Sequence, residues 1–328
     1  MSTYETETTM TSGFRKLFVR TTYGEPVDLA GKVAIVTGTG PGSLGFATAR
    51  TLAKLGASVV VTTRLNTDAI VEELRAELPD DEARARVAGH ALDLSDRDSV
   101  EDFTRWFIET RGDKLDVLVN NAGVHLDLLS RWKEPHLTGD GFEAHWRINY
   151  LGTADLTHRL LPLLRKAGEE TGDARIVTVG SHLYKKGSNA DMFEATRPYS
   201  SWNAYGNSKL ALMHMTSEIQ RRYADRSHLQ AYCLHPGAVF TRVADRGLEG
   251  TGLIEKVRGA MAPIEAFFLK TPDEVAQTQI HCATHPGFEG DVYFTECLPK
   301  EPGEDARDAE VAARLWESTL AWIQENWR

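Results

Sequence analysis

Tyr205 and Lys209 stand four residues apart in Tyr205-Gly206-Asn207-Ser208-Lys209, within a stretch whose apolar residues recur three or four apart. On a helix that spacing puts both side chains on one face, where an ammonium stabilises a developing phenolate and lowers a phenol pKa of about 10. A phenol tuned in this way transfers protons near neutral pH. Taken alone, such a pair is usually explained as a solvated helix face. Its company gives it weight: Ser181 follows a β-branched run, and two glycine-bearing segments stand upstream, Thr37-Gly38-Thr39-Gly40-Pro41-Gly42-Ser43-Leu44-Gly45 and Asn120-Asn121-Ala122-Gly123.

The first of these segments joins a short apolar run to an amphipathic stretch. Glycines there let the backbone approach a pyrophosphate, and a helix N-terminus adds unpaired amides and a favourable dipole. Gly38, Ser43, Leu44 and Gly45 are the candidate contacts, set against the plainer reading of a glycine-rich βα turn. Where an acidic residue would bind the ribose diol of NAD, the chain reads Thr62-Thr63-Arg64. A guanidinium suits a ribose 2′-phosphate, so NADP(H) is favoured and NAD(H) is left open. A solvated loop arginine is the alternative for Arg64. Asp93, before Leu94, is a candidate acceptor for an adenine amino group, or an Asx turn. Asn121, Ala122 and Gly123 offer a small-residue surface on which a cofactor could lie.

From Lys32 onward, short β-branched runs alternate with longer amphipathic stretches, the pattern of parallel strands joined by crossover helices. A doubly wound α/β sheet, a Rossmann fold, is therefore expected. The runs place strands at Val33–Thr37, Ser58–Thr62, Arg86–Ala91, Val117–Asn120, Arg175–Val179 and Leu229–Leu234, with a further strand near Asp291–Phe294. Helices are expected near Leu44–Lys54, Thr67–Leu78, Arg97–Thr110, Phe142–Arg165, Trp202–Tyr223, Pro272–Thr284 and Ala306–Trp327. Pro162 should bend or end the fourth of them near Leu161. The stretch 242–269 could be a mobile segment over a site. Met192, Phe193, Trp202, Phe267 and Phe268 are candidates for an apolar pocket, or for plain core.

The 328 residues suffice for one large domain, expected over 29–328 with helical C-terminal additions, after a Thr- and Glu-rich tail at 1–28. A net charge of −10 opposes binding to a polyphosphate backbone, so no nucleic-acid partner is expected. Arg84/Arg86 and Arg221/Arg222 read as solvated helix faces. Cys233, Cys282 and Cys297 lack zinc-type spacing, so no metal is expected and buried thiols in a reducing cytoplasm fit best. No apolar run is long enough for a membrane span. A homo-oligomer is left open.

The glycine-rich turn, Asn-Asn-Ala-Gly, Asn149, Ser181, Tyr-x-x-x-Lys and Pro236-Gly237 occur in the order that marks the short-chain dehydrogenase/reductase family. The chain resembles that family from Val33 to Thr241. It is similar in particular to the retinol-dehydrogenase-like branch, through the insertion with Leu183-Tyr184-Lys185-Lys186 and the later Lys270-Thr271-Pro272-Asp273-Glu274-Val275-Ala276-Gln277 and Arg314-Leu315-Trp316-Glu317. One departure is a glycine-rich turn one residue longer than the family's usual form, with Gly42 or Ser43 in the second glycine's place. A second is that the basic residue often found near that turn in NADP users is not evident.

The resemblance implies that Tyr205 is the acid/base and that Lys209 lowers its pKa and binds the nicotinamide ribose. It further implies that Ser181 holds the substrate oxygen and that Asn149 positions a proton-relaying water. A buried polar residue bonded to backbone is the alternative for Asn149. Pro236, Gly237, Val239 and Thr241 would flank the nicotinamide and its phosphates. The branch implies carbonyl–alcohol interconversion on an apolar small molecule. A non-catalytic nucleotide-sensing or scaffold protein is the rival reading, and it would be expected to have lost Tyr205 or Lys209. An isomerase or dehydratase on the same scaffold is a third, which cofactor turnover would separate.

Overall fold

The computed structural model describes residues 27–237, 271–285 and 292–325. Within them the chain runs β1 (Val33–Thr37), α1 (Leu44–Lys54), β2 (Ser58–Thr63), α2 (Thr67–Ala76), α3 (Asp81–Ala85), β3 (Val87–Ala91), α4 (Arg97–Arg111) and β4 (Val117–Asn120). A π-helical turn (Trp146–Leu151) then leads into α5 (Gly152–Thr171), followed by β5 (Ala174–Val179), α6 (Ser201–Ser227) and β6 (Leu229–His235). The later elements are α7 (Pro272–Thr284), β7 (Tyr293–Thr295), β8 (Leu298–Pro299) and α8 (Ala309–Glu325).

The strands form one sheet in the order β3-β2-β1-β4-β5-β6-β7-β8, parallel except for the last pair. This is the doubly wound sheet that the alternating runs predict. Side chains alternate across it: Ile35, Val60, Leu118 and Ile176 join α4, α5 and α6 on one face, while Val36, Val61, Val119 and Val177 join α1, α2 and α7 on the other. The order reverses between β1 and β4, so a crevice opens at their C-terminal ends, the usual ligand position in such sheets.

Local chemistry fixes where the helices begin. Ser43 accepts from the Phe46 amide to cap α1, Asp96 caps α4, and Thr271 with Glu274 forms a capping box behind Pro272 at α7. The three cysteines are buried free thiols. Both arginine clusters lie in helix-surface ion pairs, Arg84 with Asp81, Arg86 with Glu82, and Arg221 and Arg222 with Glu218.

Several boundaries differ from those expected. The fourth long helix opens with the π turn at Trp146 instead of at Phe142, and it does not end at Pro162 but continues to Thr171. Pro162 lies on the exposed side of α5, while buried Leu160, Leu161 and Leu164 anchor the helix on both flanks, and that packing outweighs the one lost backbone bond. α2 stops at Ala76, two residues short, and a separate one-turn α3 capped by Asp80 precedes β3, which begins at Val87. A 3₁₀ turn at Asp305–Arg307 stands apart from α8. Among the described residues no helix is long and apolar enough to cross a membrane. Met192 is buried in the core, and Phe193 packs against it beneath the Arg314 guanidinium, so both are core side chains. Phe267, Phe268, Val239, Thr241, the stretch 242–269 and most of the expected tail lie outside the described residues.

Candidate active site

The ends of β1 and β4 are tied by one hydroxyl. Thr37 Oγ1 donates to the Val119 carbonyl and accepts from the amides of Asn121 and Ala122, at 3.0 and 2.9 Å. Asn121 Nδ2 returns bonds to the carbonyls of Thr37 and Gly38, and its Oδ1 accepts from Gln279 on α7. Gln279 is fully buried and also accepts from Thr48 of α1. Asn121 is therefore spent on holding the glycine-rich turn in shape. Gly45 has no room for a side chain: a Cβ there would sit 2.5 Å from Asn121 Nδ2 and 2.6 Å from the Gly38 carbonyl. Gly38 packs as closely on Ala122, with a φ of 72° that favours glycine. The backbone is open at Gly40 and Gly42, and Ser43 serves as helix cap and donor to the Gly38 carbonyl. Leu44 begins the helix.

The next two strand ends place Arg64 and Asp93. Arg64 is exposed just beyond β2 and has no ion-pair partner among the described residues. Asp93 forms the Asx turn, its Oδ1 accepting from the amide and hydroxyl of Ser95. The carbonyl of Leu94 accepts from the buried Arg147 at 2.6 Å.

At the start of α6, each residue of Tyr205-Gly206-Asn207-Ser208-Lys209 has an identifiable task. A Cβ on Gly206 would lie 2.6 Å from the Gly187 amide, so glycine is needed where the insertion crosses the helix. Asn207 Oδ1 accepts from Ser188 and binds the insertion. Ser208 donates to the Tyr205 carbonyl and accepts from Asn149. Asn149 also clamps Val124 through both backbone groups, its Oδ1 accepting the amide and its Nδ2 donating to the carbonyl. This is the backbone-bonded arrangement weighed for it.

Tyr205, Lys209 and Ser181 come together at the C-terminal edge of the sheet. Lys209 Nζ lies 5.8 Å from the centroid of the Tyr205 ring and donates to the Val179 carbonyl at 2.9 Å. Ser181 stands beside the Tyr205 phenol, and its hydroxyl accepts from the Leu183 amide. Burial lowers the Lys209 ammonium to about 8, opposed by the neighbouring Cys233. Burial also pushes the Tyr205 phenol up to about 12, with the neighbouring Ser181 hydroxyl pulling it back. The net shift is opposite to the lowering expected from the ammonium: desolvation dominates, and the group that opposes it is Ser181, not Lys209.

Sequence reasoning passed over Gln279, and it also passed over two imidazole groupings. His182 and His235 lie with ring centroids 3.9 Å apart, bridging Ser181 and Pro236-Gly237, and the His182 amide donates to His235 Nδ1. His125 rests against Tyr205 and Trp202, with centroids 4.5 and 4.8 Å away. Placement at the strand ends was the available signal for all three histidines; Gln279 carried none.

Comparison with known proteins agrees with this architecture. The family model described as short chain dehydrogenase matches residues 32–250. The chain belongs to the short-chain dehydrogenase/reductase family and is an oxidoreductase of that family. It is 33% identical over 319 residues to retinol dehydrogenase 12 of Mus musculus, covering 95% of this chain and 93% of that one. It is 36% identical over 300 residues to polyprenol dehydrogenase of Mus musculus, covering 88% and 83%. A crystal structure of an uncharacterised protein from Mycobacterium Paratuberculosis superposes with a TM-score of 0.65 at 28% identity, covering 92% and 96%.

The knot at the β1 and β4 ends makes Thr37 the residue to test. Thr37→Val keeps the shape but leaves the half-buried Ala122 amide unpaired, while the Asn121 amide keeps the Val119 carbonyl at 3.0 Å, and a loss of about 1–2 kcal/mol is expected. Denaturant unfolding measures it, and a loss below about 0.5 kcal/mol would show that another group takes over the Ala122 amide.

Proposed function

We propose that the protein is an NADP(H)-dependent oxidoreductase that interconverts a carbonyl and an alcohol on an apolar small molecule. The observation that carries this reading is the meeting of Tyr205, Ser181 and Lys209 at one edge of the sheet, with the buried Lys209 ammonium 5.8 Å from the centroid of the Tyr205 ring. The relatives named for retinol and polyprenol support an apolar substrate.

The residues present fit a dinucleotide. The first turn of α1 has no acidic residue to repel a phosphate, the backbone at Gly40 and Gly42 is open, and Arg64 is exposed and unpaired among the described residues. Gly38, Ser43, Leu44 and Gly45 would hold the pyrophosphate and Arg64 the 2′-phosphate. Asp93, Leu94, Asn121, Ala122 and Gly123 would border the adenosine and ribose, and Pro236 and Gly237 the nicotinamide. When bound, the nicotinamide nucleotide supplies or accepts the hydride.

The chain's own groups handle the proton. A phenol raised to about 12 is protonated at neutral pH, so Tyr205 is ready to donate to a carbonyl oxygen as charge develops there. Ser181 holds the same oxygen. Lys209 keeps a positive charge beside the phenol, which eases the passage to phenolate after the proton leaves. Alcohol oxidation runs through the same groups in reverse and must first generate the phenolate.

Removing the phenol oxygen in Tyr205→Phe should reduce kcat on an accepted ketone by about 10²- to 10⁴-fold; near-normal turnover would remove Tyr205 from the reaction. Arg64→Ala should weaken NADPH binding by about ten- to a hundredfold and NADH binding hardly at all. Calorimetric titration of both nucleotides reads this, and equal losses would refute the 2′-phosphate assignment. Lys209 is lowered towards about 8, so its charge is present below that pH and lost above it. The kcat/KM for ketone reduction should be level at neutral pH and fall as pH rises through about 8, and a profile flat into the alkaline range would show that Lys209 does not titrate there.

A further inference from the structure

His125 is 3% exposed, yet among the described residues neither of its ring nitrogens has a hydrogen-bond partner. A buried polar group left in that state costs stability, and an apolar side chain of similar size would avoid the cost. Packing alone does not explain an imidazole here, since the neighbouring Trp202 and Tyr205 rings need only an apolar surface. The chain that carries it is held firmly, because Asn149 clamps the preceding Val124 at both backbone groups.

A proton relay through His145 is closed. The His145 ring lies 5.4 Å from that of His125, but both its nitrogens are engaged. Nε2 accepts from the Leu126 amide at 3.0 Å, which leaves Nδ1 to donate to Glu143 at 2.8 Å. Glu143 in turn accepts from Tyr199 and from the Trp146 amide. That tautomer leaves His145 no proton to give to His125. His125 is itself lowered to about 4 by burial, with His145 adding and Asp127 and Glu143 opposing, so at neutral pH it offers one N–H donor and one bare nitrogen.

We propose that His125 is a substrate-binding residue that hydrogen-bonds a hydroxyl carried beside the reacting carbonyl, so that the site prefers α-hydroxy carbonyl compounds to hydrocarbon ketones of the same shape. A hydroxyl both donates and accepts, as a neutral imidazole does. The His125 ring packs on the Tyr205 ring, with centroids 4.5 Å apart, so the group it would bond is one carried close to the carbonyl whose oxygen Tyr205 protonates. The proposal rests on the carbonyl–alcohol reading and narrows its substrate class.

The test compares 2-hydroxyacetophenone with propiophenone, in which methyl replaces the hydroxyl, in wild type, His125→Leu and His125→Asn. His125→Leu should lower kcat/KM for the hydroxy ketone about tenfold more than it lowers that for propiophenone. His125→Asn, which keeps a donor and an acceptor, should restore part of the difference. The ratio between variants cancels the intrinsic reactivity of the two ketones. The unfolding midpoint of His125→Leu should stay level or rise, since an unpaired imidazole is removed. Equal losses on both ketones, or a clear fall in the midpoint, would make His125 a packing group and overturn the proposal while the reductase reading stands. Absence of turnover on both ketones in wild type would overturn the two together.

Discussion

An ammonium buried away from water must find its compensation inside the protein, and the C-terminal edge of the sheet is arranged around that need at Lys209. Its Nζ donates to the carbonyl that ends β5, and Cys233 of β6 lies close by. Gly123 beyond β4 has no side chain, and a Cβ there would come within 3.2 Å of Nζ and 3.4 Å of Asn149 Oδ1. Residues of β5, β6 and the segment after β4 thus converge on one cation. The same burial that lowers Lys209 raises Tyr205, and the two shifts leave a protonated phenol beside a cation that titrates within reach of physiological pH.

Around this centre most polar side chains of the recognisable motif hold other parts of the protein. Thr37 and Asn121 lock the glycine-rich turn, Asn149 locks Val124, Ser208 links Asn149 to the helix that carries Tyr205, and Asp93 closes its own turn. Such networks are rigid because each member would be costly to leave unpaired. The motif reads as a framework that brings Ser181, Tyr205 and Lys209 to one edge of the sheet and leaves Arg64 exposed.

The strands were legible because parallel strands buried on both faces are written as β-branched runs bounded by turn residues, and β1 and β4 fall where the runs place them. The convergence of Ser181, Tyr205 and Lys209 was legible because strand ends and a four-residue helical spacing share one edge. Less legible was anything decided by tertiary packing. Pro162 predicts a break that flanking leucines override, the π turn before α5 has no composition signal, and Gln279 looks like any polar residue of an amphipathic helix. The direction of the Tyr205 shift also depends on burial, which pair spacing does not encode. His125 stood two residues past Gly123, but only its ring neighbours and unpaired nitrogens distinguish it from a core histidine.

The link between Gln279 and Asn121 has a consequence for the order in which the protein is made. The glycine-rich turn belongs to the first strand and helix, yet the amide that holds Asn121 against it stands 158 residues beyond Asn121. A nascent chain leaving the ribosome can pair its early strands, but the turn at the C-terminal edge of the sheet lacks this support until residue 279 has emerged and docked.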